Sequence, residues 1–311
     1  MRAATPTLRI ATRKSQLALW QAEHVALLLR RAHAGLRVEL VPMSTKGDQI
    51  LDRSLAAIGG KGLFIKELEI ALEEKHADIA VHSMKDVPGE LPRGFTIAAV
   101  LERADPRDAL LAAKAERVED LPQGARVGTS SLRRQAQLLA VRPDLRIEAL
   151  RGNVNTRVGR LDNGELDAII LACAGLIRMG WESRITGRLA PSAFVPAVGQ
   201  GVIGIECRSD DAHTCSLLEV LNHAHTRTVL DAERAFAGRL GGSCQSPIAA
   251  YGTLTGNRLT LDGLVAEPDG SRLLRDSMSG SADQPRRLGE QLADRVLAAG
   301  AGPLLERLRS D

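Results

Sequence analysis

Where the apolar runs of this 311-residue sequence end, arginine, lysine and small hydroxyl residues collect. Arg13, Lys14 and Ser15 follow the run Leu8 to Thr12, and His82, Ser83, Met84, Lys85 and Asp86 close another. Farther on, Thr129, Ser130 and Ser131 precede Arg133 and Arg134; Arg151 precedes Asn153, Asn155 and Arg157; and Arg178 follows the run ending at Cys173. In open α/β sheets a ligand sits beyond the carboxyl ends of the strands. Six arginines with hydroxyl and amide donors at such ends describe a receptor for a polyanion, because guanidinium forks match carboxylates and phosphates and helix N-termini favour anions. Singly, Ser15, Thr129, Ser131 and Asn153 are good helix caps, and one arginine after a strand is an ordinary solvated charge. Those readings leave the clustering unexplained. The chain has no Gly-x-x-x-x-Gly-Lys-Ser/Thr loop and no Gly-x-Gly-x-x-Gly turn after a strand, so a nucleotide is not indicated and several carboxylates on one ligand fit as well.

Two residues among these cations suggest chemistry. Asp86, next to Lys85, is the one carboxylate at the strand ends of the first lobe, able to stabilise a developing cation or move a proton, or simply to form an ion pair. Cys244 lies in Gly241-Gly242-Ser243-Cys244-Gln245-Ser246-Pro247, a glycine-flanked loop where a thiol near cations is nucleophilic. Cys173, Cys207 and Cys215 fall in or beside apolar segments and read as small core residues. The four cysteines form no Cys-x-x-Cys pair, and His223-x-His225 reads as a helix end, so no metal site is expected.

The elements that must position these groups alternate in type. Leu8–Thr12, Val38–Met43 and Asp78–Met84 read as strands, and Ser15–Ala32 and Lys61–Lys75 as helices with stripes at spacings of three and four. The charged segment from Thr45 to Gly62 ends in Gly59-Gly60-Lys61-Gly62 and reads as a candidate lid. A second round follows, with strands at Arg126–Ser131, Arg146–Leu150, Leu166–Cys173 and Val202–Glu206 and helices at Leu132–Val141 and Gly152–Asn163. The last third has a helix over Thr226–Leu240, three short strands joined at Thr255-Gly256-Asn257 and Pro268-Asp269-Gly270, and a terminal helix over Arg286–Leu308, broken near Gly300 to Pro303. The pattern is α/β: two similar lobes plus a small α+β domain.

Composition narrows the function. The chain is 44% hydrophobic and 25% charged with a net charge of +3, and its seven aromatics do not interleave with basic residues, so nucleic acid is not an expected partner. No run of eighteen apolar residues exists and the start lacks the apolar core of a signal peptide, so the expected location is the cytoplasm, away from membranes.

Seven segments in order, spanning nearly the whole chain, resemble the hydroxymethylbilane synthase (porphobilinogen deaminase) family. They are RIATRKSQLALW (Arg9–Trp20), GGKGLFIKELE (Gly59–Glu69), HSMKD (His82–Asp86), GTSSLRR (Gly128–Arg134), RGNVNTR (Arg151–Arg157), VGQG (Val198–Gly201) and GGSCQSPI (Gly241–Ile248). The resemblance implies a transferase of tetrapyrrole and haem synthesis that condenses four porphobilinogen molecules head to tail with loss of ammonia, on a dipyrromethane primer joined by a thioether to Cys244. It implies Asp86 as the catalytic acid. Lys85, Thr129, Ser131, Arg133, Arg134, Asn153 and Arg157 would hold the cofactor, and Arg13, Ser15, Phe64, Arg151, Arg178 and Gln200 the substrate. It implies lobes like periplasmic-binding-protein domains around a cleft, no metal, and a monomer. The corresponding division is 1–101 with 202–219 as domain 1, 102–201 as domain 2, and 220–311 as domain 3 with a three-stranded antiparallel sheet. Gln16 stands where many relatives have proline, and Ser243 where glycine is frequent; neither removes a group the chemistry needs. The rival reading is a two-lobed anion-binding protein or ligand-sensing domain without catalysis, which would need neither Asp86 nor Cys244.

Overall fold

The computed structural model describes residues 7–49, 64–242 and 246–310. In chain order the strands are β1 (Thr7–Arg13), β2 (Arg37–Met43), β3 (Ile79–Ser83), β4 (Phe95–Val100), β5 (Asp108–Ala112), β6 (Arg126–Gly128), β7 (Arg146–Glu148), β8 (Ala168–Ala172), β9 (Gly187–Leu189), β10 (Ile203–Arg208), β11 (Ile248–Thr255), β12 (Arg258–Ala266) and β13 (Leu273–Ser281). The helices are α1 (Gln16–Ala32), α2 (Lys46–Gln49), α3 (Lys66–Glu73), α4 (Leu132–Val141), α5 (Val154–Asp162), α6 (Cys173–Arg178), α7 (Ala212–Glu219), α8 (Ala224–Arg239), α9 (Pro285–Val296) and α10 (Gly302–Ser310). The chain forms two compact units, one from residues up to Arg103 with Val202–Arg227, the other from Ala104–Gly201 with the chain from Thr228 onward.

The first unit is built on one mixed sheet, ordered β2-β1-β3-β10-β4. β1 runs parallel to β2 and β3, and β10 runs antiparallel to β3 and β4. Ser15 starts α1 by accepting the Ala18 N–H on its hydroxyl, and Ala22, Val25 and Leu29 form the buried stripe that packs on Ile10, Ile79 and Ile205. The other face is covered by α3, whose Leu68 and Leu72 meet Ala11 and Ala80. Sequence periodicity extends this helix back to Lys61; it starts at Lys66, and residues 61–63 lie outside the described part, as does most of the candidate lid.

The second unit repeats the plan as β7-β6-β8-β5-β9, with β6 parallel to β7 and β8, and β5 antiparallel to β8 and β9. It also contains the antiparallel sheet β11-β12-β13, backed by α8 and α9. Gly263 of β12 admits the ring of the fully buried Phe236; any β-carbon there would collide with it. A smaller cluster, Ala136 and Val195 with Ala249, Leu264 and Ala266, joins this sheet to α4. The terminal helix breaks where the glycine signals it: Gly300 has φ 105° between α9 and α10, a value that favours glycine.

Candidate functional site

In the first unit the register Ile10↔Ile79 and Ala11↔Ala80 aligns the carboxyl ends of β1 and β3. Arg13–Ser15 and Ser83–Asp86 therefore leave the sheet side by side. Arg13 places its guanidinium 4.3 Å over the Phe64 ring, and the bare backbone of Gly47 fits against that same ring. Lys85 and Asp86 are half-buried in a single 3-10 turn, Met84–Asp86.

Each residue before that turn is fixed by a different neighbour. His82 Nε2 lies 2.7 Å from Glu206 Oε2, and the Gln21 amide of α1 donates to Ser83 Oγ at 2.9 Å. Met84 donates its N–H to Val202 O at 3.0 Å. Its buried side chain occupies the space where Gly204 has no side chain. A methyl group at Gly204 meets the Met84 sulphur, so Gly204→Ala is expected to cost about 1–3 kcal/mol by overpacking. A thermal melt checks this; an unchanged melt would mean that Met84 relocates freely.

In the second unit the parallel strands β6, β7 and β8 end at one edge. Thr129 is buried, donates its N–H to Glu148 O at 2.9 Å and accepts the Ser131 N–H on its hydroxyl at 3.2 Å. Ser131 and Asn153 cap α4 and α5, accepting from Arg134 N and Thr156 N. Ser130 ties β6 to the end of β7, its hydroxyl bonded to both Leu150 O and Leu150 N. Arg157 donates to Gly152 O at 2.8 Å, and Arg178 to Gly201 O at 2.7 Å. Burial pushes Arg178 down to about 10. Burial also lowers Arg151, with no carboxylate opposing it among the described residues.

Position after a strand points Arg133 and Arg134 at a ligand, and the resemblance points Gln200 there; in the structure all three side chains turn to the buried Asp108. Arg133 Nη1 binds Asp108 Oδ2 at 2.8 Å and Val195 O at 2.7 Å, and Arg134 Nε binds Asp108 Oδ1 at 2.9 Å. Gln200, fully buried, donates to Pro106 O at 2.7 Å and to Asp108 Oδ1 at 3.1 Å. Burial would raise the Asp108 carboxyl, but the two guanidiniums hold it well below the usual carboxylate range. The triad keeps one uncompensated positive charge, and Arg133 Nε has no hydrogen-bond partner among the described residues. Sequence reasoning missed Asp108. An acid inside Asp-Ala-Leu-Leu-Ala carries no local mark of its tertiary partners.

Cys244 lies outside the described residues. Cys173 and Cys207 are buried, and burial pushes the Cys173 thiol up to about 12, where it is unreactive. His223 accepts the Thr226 N–H at the start of α8, a capping role. No group of three His, Cys, Asp or Glu side chains among the described residues is arranged to hold a metal ion, and no helix among them is long and apolar enough to cross a membrane.

Residues 8–216 match the family model described as porphobilinogen deaminase, dipyrromethane cofactor binding domain, and residues 228–298 match porphobilinogen deaminase, C-terminal domain. Porphobilinogen deaminases of Xanthomonas campestris pv. campestris strain B100 and Xanthomonas axonopodis pv. citri are each 56% identical to this chain over 302 residues, 97% of this chain and 99% of theirs. Among solved structures, a putative methionine-binding lipoprotein of Bacillus subtilis is similar with a TM-score of 0.44 at 12% identity, over 71% of this chain and 92% of that one. A BvgS VFT2 domain of Bordetella pertussis aligns with a TM-score of 0.42 at 14% identity, over 69% and 85%. With two family models spanning most of its length and relatives at this identity, the chain belongs to the porphobilinogen deaminase family and carries its dipyrromethane cofactor-binding domain.

Proposed function

We propose that Asp86 is the acid–base group of the family's reaction, the stepwise joining of four porphobilinogen molecules into hydroxymethylbilane with release of ammonia. The observation that carries this is the half-buried carboxylate beside Lys85 at the aligned ends of β1 and β3, close in the fold to Arg13. For each unit added, one C–N bond breaks and one C–C bond forms. The hydrogen lost from the attacked ring carbon balances the one gained by the departing amine, and Asp86 moves that proton. Its negative charge also stabilises the positive charge that develops on the pyrrole nitrogen.

The donor set suits a ligand rich in carboxylates. Arg151 is half-buried with no carboxylate opposing its charge among the described residues, and the Asp108 triad leaves a net positive charge beneath the strand ends. Lys85, Thr129, Ser131, Asn153 and Arg157 would hold the cofactor's acetates and propionates, with Cys244 as the covalent anchor. Arg13, Ser15, Phe64, Arg151 and Arg178 would receive substrate. Arg133, Arg134 and Gln200 serve both through the buried network. When bound, dipyrromethane supplies the ring carbon to which the first substrate is joined. We read the enzyme as a cytoplasmic monomer that needs no metal.

Weighing the intact, denatured protein tests this. The expected result is an excess of two pyrrole units, mapped by digestion to the peptide with Cys244 and absent from Cys244→Ser. A mass equal to the bare chain, unchanged after adding porphobilinogen, would overturn the anchor and revive a purely ligand-binding role.

A further inference from the structure

Three ionisable side chains are buried together on the α3 side of the first sheet, and the chemistry above uses none of them. His82 and Glu206 share their 2.7 Å contact with side chains only 3% and 0% exposed. They meet diagonally across β3 and β10, where Gly204 pairs with His82 and Glu206 with Ala80. Glu69 of α3 joins them. Burial first, and the Glu206 charge second, push its carboxyl up to about 6, while His82 and Lys66 pull the other way. Glu69 Oε1 and Glu206 Oε1 are buried and accept no hydrogen bond among the described residues. Of the other charges near α3 among the described residues, Glu67 accepts the Lys46 N–H on one oxygen. Arg208 of β10 donates to Leu72 O and Ala77 O and pairs with Asp211, and Arg13 of β1 covers Phe64.

Two carboxyl groups around one imidazole in an interior are costly, and apolar side chains of the same size would serve the fold better. Buried ionisable groups of this kind cluster where a fold serves a site. We infer that the His82–Glu206 pair, under the charge of Glu69, positions Asp86 by clasping the carboxyl end of β3 to β10; this rests on the reading of Asp86 as the acid–base group. The lever is short. His82 stands four residues before Asp86, and between them Ser83 and Met84 are each tied down. Glu69 acts through its charge and not through a contact: ionised, it adds to the field in which Glu206 holds the imidazole; protonated, that support is gone, and the turn carrying Lys85 and Asp86 loosens.

The test is Glu69→Gln, followed by melting and by rate across pH. A raised carboxyl pKa means that the folded protein holds an extra proton. Wild-type stability attributable to this group therefore falls as pH rises from the ordinary carboxylate value of about 4 towards about 6. Glutamine escapes that loss. The variant should melt like wild type at about pH 4 and above it at about pH 8. Its kcat at about pH 8 should fall about ten- to a hundredfold, with KM for porphobilinogen within about twofold, and it should lack the wild-type inflection near pH 6. Glu206→Gln should lose kcat in the same way; if it does not fold, the Glu69→Gln curves decide. A Glu69→Gln variant that melts lower than wild type at neutral pH, or one with unchanged kcat and pH profile, overturns the inference. Full turnover in Asp86→Asn would instead overturn the reading of Asp86, and the melting curves would not register it.

Discussion

Replacing Asp86 by asparagine is expected to cut turnover by about 10²–10⁴-fold while the protein stays folded. The amide keeps the size of the side chain and its place in the 3-10 turn, and Met84 and Ser83 still anchor that turn. What it removes is the negative charge and the capacity to take and return a proton. The cations proposed to collect the ligand's carboxylates are untouched, so the loss should appear in kcat, with KM changing little. Steady-state kinetics with porphobilinogen decide it. A variant with near-normal kcat would show that another group carries the proton.

The second large effect concerns folding. Asp108→Ala is expected to destabilise the protein by about 3–5 kcal/mol, because it strands two buried guanidiniums that share one carboxylate. Gln200 and Val195 O alone cannot compensate Arg133 and Arg134. The same residue sets an acid limit. Its folded-state pKa is depressed, so its contribution is present above the ordinary carboxylate value of about 4 and is lost as pH falls towards the folded value. Denaturant unfolding of the wild type should therefore weaken steeply below about pH 4, and a folded Asp108→Asn variant should lack that part of the slope. Equal slopes in the two proteins would mean that the triad is not held as an ion cluster.

Much of this molecule is legible in its sequence for a simple reason. β1 and β3 are largely apolar runs ending in polar residues, and a strand end is where an α/β sheet exposes whatever follows it. Ser15, Ser131 and Asn153 announce helix starts, and all three cap as expected. The strands β4, β5 and β9 went unread. β5 is Asp-Ala-Leu-Leu-Ala, whose residues favour helix, and tertiary pairing with β8 and β9 overrides that preference. Arg133 and Arg134 show the limit most clearly. Their position relative to β6 was readable, but their direction is set by a carboxylate some twenty-five residues upstream. His82 was visible at its strand end, whereas its partner Glu206 comes from β10 and gave no local sign.

The order of the first sheet, β2-β1-β3-β10-β4, has a consequence for how the chain is made. β10 is an interior strand that joins β3 to β4, yet it is synthesised only after the whole first segment of the second unit, residues 104–201. During translation the second unit's sheet has all five strands by Leu189, while the first still lacks its central antiparallel member. Elongation at about 5–20 residues per second leaves that gap open for several seconds. The earlier-made part of the protein therefore matures later. Until Arg208 emerges, the apolar edges of β3 and β4 are the surfaces that a nascent-chain chaperone has reason to cover.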